Sequence, residues 1–227
     1  MFRSLSARHN FDDENELAMS TITETVWPKG FVELDEGQLK VHPDLVSHFR
    51  ARGWHTLDDV LRDSDVSVTE ERDIRDNCTV ALQNKESAGL IRVYLKRHRD
   101  RGRPHEAAAE ADAVETCRKA GVACMIIAAV GYRPVGHQSG VSDGDWHSFF
   151  MSVEIGDGKS AYDLAAEFCS LPADNREREL TALLNEVASV LVQLHGARLF
   201  HRDCYLQHFI LESSDDAKPS VRLIDLQ

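Results

Sequence analysis

No stretch of this chain approaches the roughly 18 consecutive apolar residues that a membrane-spanning helix needs. The first residues, Met1-Phe2-Arg3-Ser4-Leu5-Ser6, lack the apolar core of a secretion signal. The five cysteines, at 78, 117, 124, 169 and 204, form no C-x-x-C pair. Their odd number and wide spacing exclude a disulfide framework or a zinc site and predict reduced thiols. Cys204 is expected to pack as a small hydrophobe behind the loop that contains it. Positive charge is also scarce: 26 Lys and Arg face 38 Asp and Glu, a net charge of −12. That balance excludes nucleic acid as a general partner, because phosphate backbones reward clustered cations. It leaves a membrane contact open, since local patches decide that association. The expected location is the cytoplasm.

What remains is globular. Across 227 residues the hydrophobic share is 42% and the charged share 28%, enough to bury one large domain or two small lobes. Residues 1 to about 25 are polar, acidic and aperiodic and read as a flexible tail. Between 27 and 52 lie turn signals and short apolar groups, with Lys40-Val41-His42 resembling an edge strand. A short helix is predicted over 54–63, with Thr56 as its cap. Cys78-Thr79-Val80-Ala81-Leu82 and Leu90-Ile91-Arg92-Val93-Tyr94-Leu95 read as strands flanking a hairpin loop at 83–89. A helix follows over about 106–120, with Gly121 at the position of a left-handed cap. Strands are predicted at 126–130 and 149–153, and the longest helix at about 177–197. In that helix Leu180, Leu183, Leu184, Val187, Leu191 and Leu194 share one face. The order of elements predicts an α+β fold, sheet-rich first and helical later.

The chemistry concentrates at the C-terminal end. Asp203 and Asp225 each follow an apolar run, and between them Phe209-Ile210-Leu211 and Ser213-Ser214-Asp215-Asp216 read as a strand and a turn. The pair therefore brackets a β-hairpin. Phosphoryl transfer needs this kind of pair: one carboxylate orients the accepting hydroxyl and the other holds magnesium on the nucleotide phosphates. Lys96 closes a strand and supplies a point charge for α- and β-phosphates. Glu110, in the next helix, is placed to hold that lysine extended. Glu106 shares its face, while Glu115 is rotated away. Arg202 is expected to stabilise the loop around Asp203, with His201 packing beneath it. His208 binds phosphate, holds metal through water, or packs; imidazole is a poor direct ligand for magnesium.

These residues carry a resemblance. The strings Val93-Tyr94-Leu95-Lys96-Arg97, Ser148-Phe149-Phe150-Met151-Ser152-Val153-Glu154, His201-Arg202-Asp203-Cys204-Tyr205-Leu206-Gln207-His208-Phe209 and Leu223-Ile224-Asp225-Leu226 are similar to those of bacterial lipopolysaccharide core kinases. That family phosphorylates Kdo or heptose sugars of the inner core and shares the protein-kinase fold. The resemblance covers about residues 54–227. It implies ATP and Mg2+, with Lys96 and Glu110 anchoring the nucleotide and an interlobe hinge at Glu154. It further implies Asp203 as catalytic base with Arg202 beside it, and Asp225 with His208 at the metal. The acceptor implied is a lipopolysaccharide core or lipid A precursor.

The implied architecture is a protein-kinase-like bilobal fold with an incomplete C-terminal lobe. Residues 1–53 form an extension, 54–155 the N-lobe, and 156–227 a partial C-lobe. Because the sequence ends at Gln227, just after Asp225, the expectation is a loosely held hairpin and weak turnover. Two competing readings are a pseudokinase-type regulatory or binding protein, and a kinase of the same fold acting on another small molecule or protein. The loop at 83–89 holds a single glycine, little for a loop expected to wrap phosphates. The basic run 96–103 (Lys96, Arg97, Arg99, Arg101, Arg103) reads as a dock for anionic lipid at the inner face of the membrane or as a solvated loop.

Overall fold

Seven short strands hydrogen-bond in the spatial order β1-β2-β6-β7-β5-β4-β3, every neighbouring pair antiparallel. They are β1 (Val32–Leu34), β2 (Leu39–Val41), β3 (Ser67–Arg72), β4 (Arg75–Gln83), β5 (Leu90–His98), β6 (Ile127–Tyr132) and β7 (Ser148–Val153). The computed structural model describes residues 30–83, 90–99, 106–133, 145–156, 158–212 and 220–226. The expected tail at 1–25, the expected turn at 213–216 and most of the expected hairpin loop at 83–89 lie outside these residues.

The sheet is covered on both faces, and β7 shows why its sequence is apolar without interruption. Phe149 and Met151 point into a core with Phe49, Trp54, Leu57 and Leu61, while Phe150 points into the other with Val114, Leu194 and Leu223. Alternate side chains of a strand face opposite sides, so a strand buried on both sides reads as one run. Helices α1 (Val46–Arg52) and α2 (Leu57–Leu61) supply the first cover. Thr56 caps α2 in a reciprocal capping box with Asp59, as its hydroxyl predicts. Helix α2 approaches the sheet closely at Gly131, where an added Cβ would stand 2.7 Å from the Leu57 side chain and 2.5 Å from Phe149.

Helix α3 (Glu106–Lys119) covers the other face and ends at Gly121, whose φ of +76° is the left-handed cap. Beyond β7 come α4 (Ala161–Phe168), α5 (Ala173–Gly196) and the hairpin of β8 (Phe209–Glu212) and β9 (Ser220–Leu223). Met125 N–H donates to Leu223 O and Leu223 N–H to Ala123 O, tying the hairpin to the segment before β6.

Several sequence expectations are corrected. Residues 39–41 are not an edge: β2 pairs on both sides, and β1 lies outside it. Strand β5 runs on to His98, so Lys96 sits inside the strand. β3 went unpredicted because all its residues are exposed, which removes the apolar alternation. α4 also went unpredicted. On α5 the buried seam is Leu183, Val187, Val190 and Leu194, whereas Leu184 is 53% exposed.

His98 is fully enclosed, and burial, with help from the Arg75 and Lys96 charges, pushes its imidazole from 6.5 down to about 4. Glu106 Oε2 lies 3.3 Å away but makes no well-aligned hydrogen bond, so burial prevails. Between those pH values the unfolded chain binds a proton that the folded chain excludes, so stability falls as pH drops through the window. His42 and His48 are lowered by burial in the same direction. The unfolding free energy in urea is expected to fall from pH 7 to 4.5, by about 2 kcal/mol from His98 alone. His98→Gln should flatten that slope; an unchanged slope would contradict the assignment.

Candidate active site

Period-2 alternation along β4 and β5 builds the upper wall of a cleft. Asn77 pairs with Lys96 and Arg75 with His98, placing these side chains on the sheet face that carries α3. From there the Lys96 ammonium reaches Glu110 Oε1 at 2.6 Å and Asp225 Oδ1 at 2.5 Å. Asp225 comes 129 residues after Lys96, yet it meets the strand and the helix that follows it at one nitrogen. Lys96 has three N–H donors, so the third remains for a ligand.

Glu110 is only 2% exposed, and its second oxygen has no hydrogen-bond partner among the described residues. Burial raises its carboxyl above the ordinary range despite Lys96, and the neighbouring Asp225 charge adds to the rise. Asp225 behaves oppositely. Burial would raise it, but the Lys96 charge and hydrogen bond, with His208, hold it below the usual carboxylate range. Asp225 adopts φ +58°, a left-handed conformation that aspartate tolerates better than most residues.

A second set of bonds fixes the loop around Asp203. The Asp203 N–H donates to His201 Nδ1 at 3.2 Å, so His201 Nε2 carries the proton and donates to Ile224 O at 3.0 Å. His201 thus couples the Asp203 loop to the residue before Asp225. His208 Nδ1 lies 2.6 Å from Asp203 O and must carry a proton there, while Nε2 faces Asp225 Oδ2 at 3.5 Å. Ile224 N–H donates to His208 O. Among the described residues the Asp203 carboxylate makes no hydrogen bond. It opens into a cavity of about 500 Å³ shared with Arg72, Arg75, Glu106, Tyr205, His208 and Asp225. Next to it, a cavity of about 430 Å³ runs under β3 to β5 to Val153 and Ile155, with Ile210 and Ile224 among its other lining residues. An apolar slot continuous with a charged end suits a nucleotide.

Lys96, Glu110, Asp203, His208 and Asp225 therefore come together. Arg202 does not: it is exposed and lines neither cavity. The Glu154 carboxylate turns to β5, accepting from Tyr94 Oη at 3.2 Å and lying 3.7 Å from Arg92, while its neighbours Val153 and Ile155 line the slot. Glu106 faces His98, and Glu115 pairs with Arg118 and Lys119 on the surface. Cys204 is exposed rather than packed behind the loop. The basic run at 96–103 is not one surface. Lys96 lies in the cleft, and Arg97 is buried against Asp76, with His98 buried beside it. Arg99 stacks over Trp146, and the remainder of the run lies outside the described residues. No helix among the described residues is long and apolar enough to cross a membrane.

Magnesium is bound through one or two carboxylates plus phosphates and water, in octahedral oxygen geometry. Asp225 Oδ2, which makes no hydrogen bond among the described residues, fits that donor set, and His208 Nε2, 3.5 Å from it, is placed to accept from a bound water. The described residues hold no cluster of three or more His, Cys, Asp or Glu side chains suited to a metal. The site would rely on ligands from a nucleotide.

A sheet lysine paired to a helix glutamate, facing two aspartates that bracket a hairpin, defines a protein-kinase-like fold. The solved structure of WaaP in complex with acyl carrier protein shares this fold, with a TM-score of 0.59 and 23% identity over 83% of this chain and 70% of that one. The model of the lipopolysaccharide kinase (Kdo/WaaP) family matches residues 66–227, and the chain belongs to that family. The lipopolysaccharide core heptose(I) kinase WaaP of Escherichia coli is 28% identical over 120 residues, and that of Pseudomonas aeruginosa 32% over 122. Each match takes in 52% of this chain and 42% of the relative, so this chain matches less than half of either.

A double-mutant cycle tests the central pair. Lys96→Met leaves Glu110 buried without its cation and should cost about 3–5 kcal/mol in urea unfolding. Adding Glu110→Gln should restore at least half of that loss. Strictly additive losses would mean the pair is not coupled.

Proposed function

We propose that this chain carries the nucleotide site and catalytic loop of an ATP-dependent kinase that phosphorylates a sugar hydroxyl, heptose or Kdo, of the lipopolysaccharide inner core. The carrying observation is the convergence of Glu110 and Asp225 on the Lys96 ammonium, with Asp203 open to the same cleft. The relatives support the acceptor class by their own activity. The lobes would divide near 155, with Lys96 and Glu110 in the N-lobe, Asp203 and Asp225 in residues 156–227, and the slot lined from both. Residues before 54 add β1, β2 and α1 to the sheet. Any peripheral contact with the membrane would fall to the end of the 96–103 run, since its first members are internal.

In this reading the adenine lies between β4, β5 and the segment at Val153 and Ile155, and the third Lys96 N–H meets the α- and β-phosphates. Asp203 orients the acceptor hydroxyl and takes its proton as the hydroxyl oxygen attacks the terminal phosphorus. The bond from that phosphorus to the β–γ bridging oxygen breaks and ADP leaves. Asp225 would hold magnesium, with His208 contacting its water; bound there, the ion supplies charge neutralisation of the phosphates. The protein's share is mostly positioning, which needs the rigid hydrogen-bonded link through His201.

Calorimetry should detect ATP binding that depends on magnesium, and Asp225→Ala should remove that dependence. Asp203→Asn should suppress phosphate transfer to a lipid A–core acceptor about a hundredfold or more while sparing ATP affinity. If Lys96→Ala and Asp225→Ala both leave ATP affinity unchanged, the nucleotide reading fails.

A further inference from the structure

The loop at 83–89 joins the ends of β4 and β5 that lie far from Lys96, beyond the Gln83 and Leu90 pair. The turn that borders the cleft is the one between β3 and β4, from Arg72 through Asp73 and Ile74 to Arg75. It contains no glycine, so close wrapping by bare backbone is not its means of holding an anion. It carries two guanidiniums, and both line the slot as well as the neighbouring cavity that holds Asp203, His208 and Asp225.

The two arginines differ in their engagement. Arg72 is held by Glu70 Oε1, through bonds of 2.5 Å and 2.8 Å from one guanidinium. Arg75 has no side-chain hydrogen bond or salt bridge with any described residue. Its backbone is fixed by pairing with both Arg72 and His98, which sets it on the face shared with Lys96. The Arg75 charge is close enough to act on Glu70, Glu110, Asp225 and His98. With no hydrogen bond to any described residue, this half-withdrawn guanidinium has its N–H donors available to a phosphate that enters the cleft. Lys96 is already shared between two carboxylates, which leaves only one of its three N–H donors for a phosphate.

We infer that Arg75 is a substrate-contacting residue of the kinase site, whose guanidinium holds the terminal phosphates of the nucleotide in place of a glycine-rich backbone cradle. The inference rests on the nucleotide reading of the cleft given above. Its chemistry is the paired N–H fork on phosphate oxygens, which a lysine reproduces only as a point charge. The same charge stands opposite Asp203, where negative charge is redistributed during transfer.

The test compares ATP, ADP and AMP binding with MgCl2 by calorimetry in the wild-type chain, Arg75→Ala, Arg75→Lys and Lys96→Ala, with thermal unfolding as a check on folding. Arg75→Ala should weaken ATP about ten- to hundredfold and leave AMP within about threefold, so that the preference for ATP over AMP collapses. Arg75→Lys should recover only part of the preference. A folded Arg75→Ala chain that keeps the wild-type preference, while Lys96→Ala loses ATP, overturns this inference and leaves the nucleotide reading standing. Equal loss of ATP and AMP, or unchanged ATP binding with a raised acceptor KM, also overturns it. A wild-type chain that binds no nucleotide, so that Lys96→Ala changes nothing, takes down both.

Discussion

One ammonium group organises this site. Lys96 on β5, Glu110 on the helix that follows and Asp225 far beyond both are joined at one point: both carboxylates bond the same nitrogen, at 2.6 Å and 2.5 Å. Glu110 is buried, so its charge depends on that nitrogen; an unpaired buried carboxylate would be strongly destabilising. The position of α3 on the sheet and the position of the strand end beneath it are therefore linked through one interaction. Two acids on one lysine leave a net negative charge. The Arg75 guanidinium lines the same cleft, and its charge acts on both acids.

The rest of the fold keeps this geometry rigid. A sheet packed on both faces gives Lys96 a fixed backbone, with Phe150 and Phe149 anchoring the adjacent strand in separate cores. The hairpin of β8 and β9 is fastened by backbone bonds to the segment before β6 and by His201 to the Asp203 loop. Two carboxylates stand in different surroundings: Asp225 bonds the Lys96 ammonium, and Asp203 opens into the cavity without a hydrogen bond among the described residues. Positioning of this kind is most of what phosphoryl transfer asks of a protein.

Much of the site was legible in the sequence, because its residues stand on elements with strong local signals. The helix ending at Gly121, the long α5 and the apolar strands flanking Asp203 and Asp225 could be read from periodicity and capping. Lys96 and Glu110 followed from the order strand then helix. Arg75 was hidden for a physical reason: its strand partner β3 is fully exposed and polar, so nothing marked a hairpin there, and register alone brings Arg75 onto the face of Lys96. The basic run 96–103 misled because charge counting ignores alternation. Arg97 points the opposite way to Lys96 and is neutralised by Asp76, with Trp146 beneath its guanidinium. On α5, Leu184 fits the helical period but faces solvent, since the neighbouring elements cover only the stripe through Val190.

Hydrogen exchange read by mass spectrometry, with and without Mg·ATP, tests most directly whether one lysine couples the three elements. The account predicts that nucleotide raises protection together in β5, in α3 around Glu110 and at 223–226, and that Lys96→Ala abolishes the joint response while the core around Phe149 stays protected. Protection confined to one of these segments, or an unchanged joint response in Lys96→Ala, would contradict it.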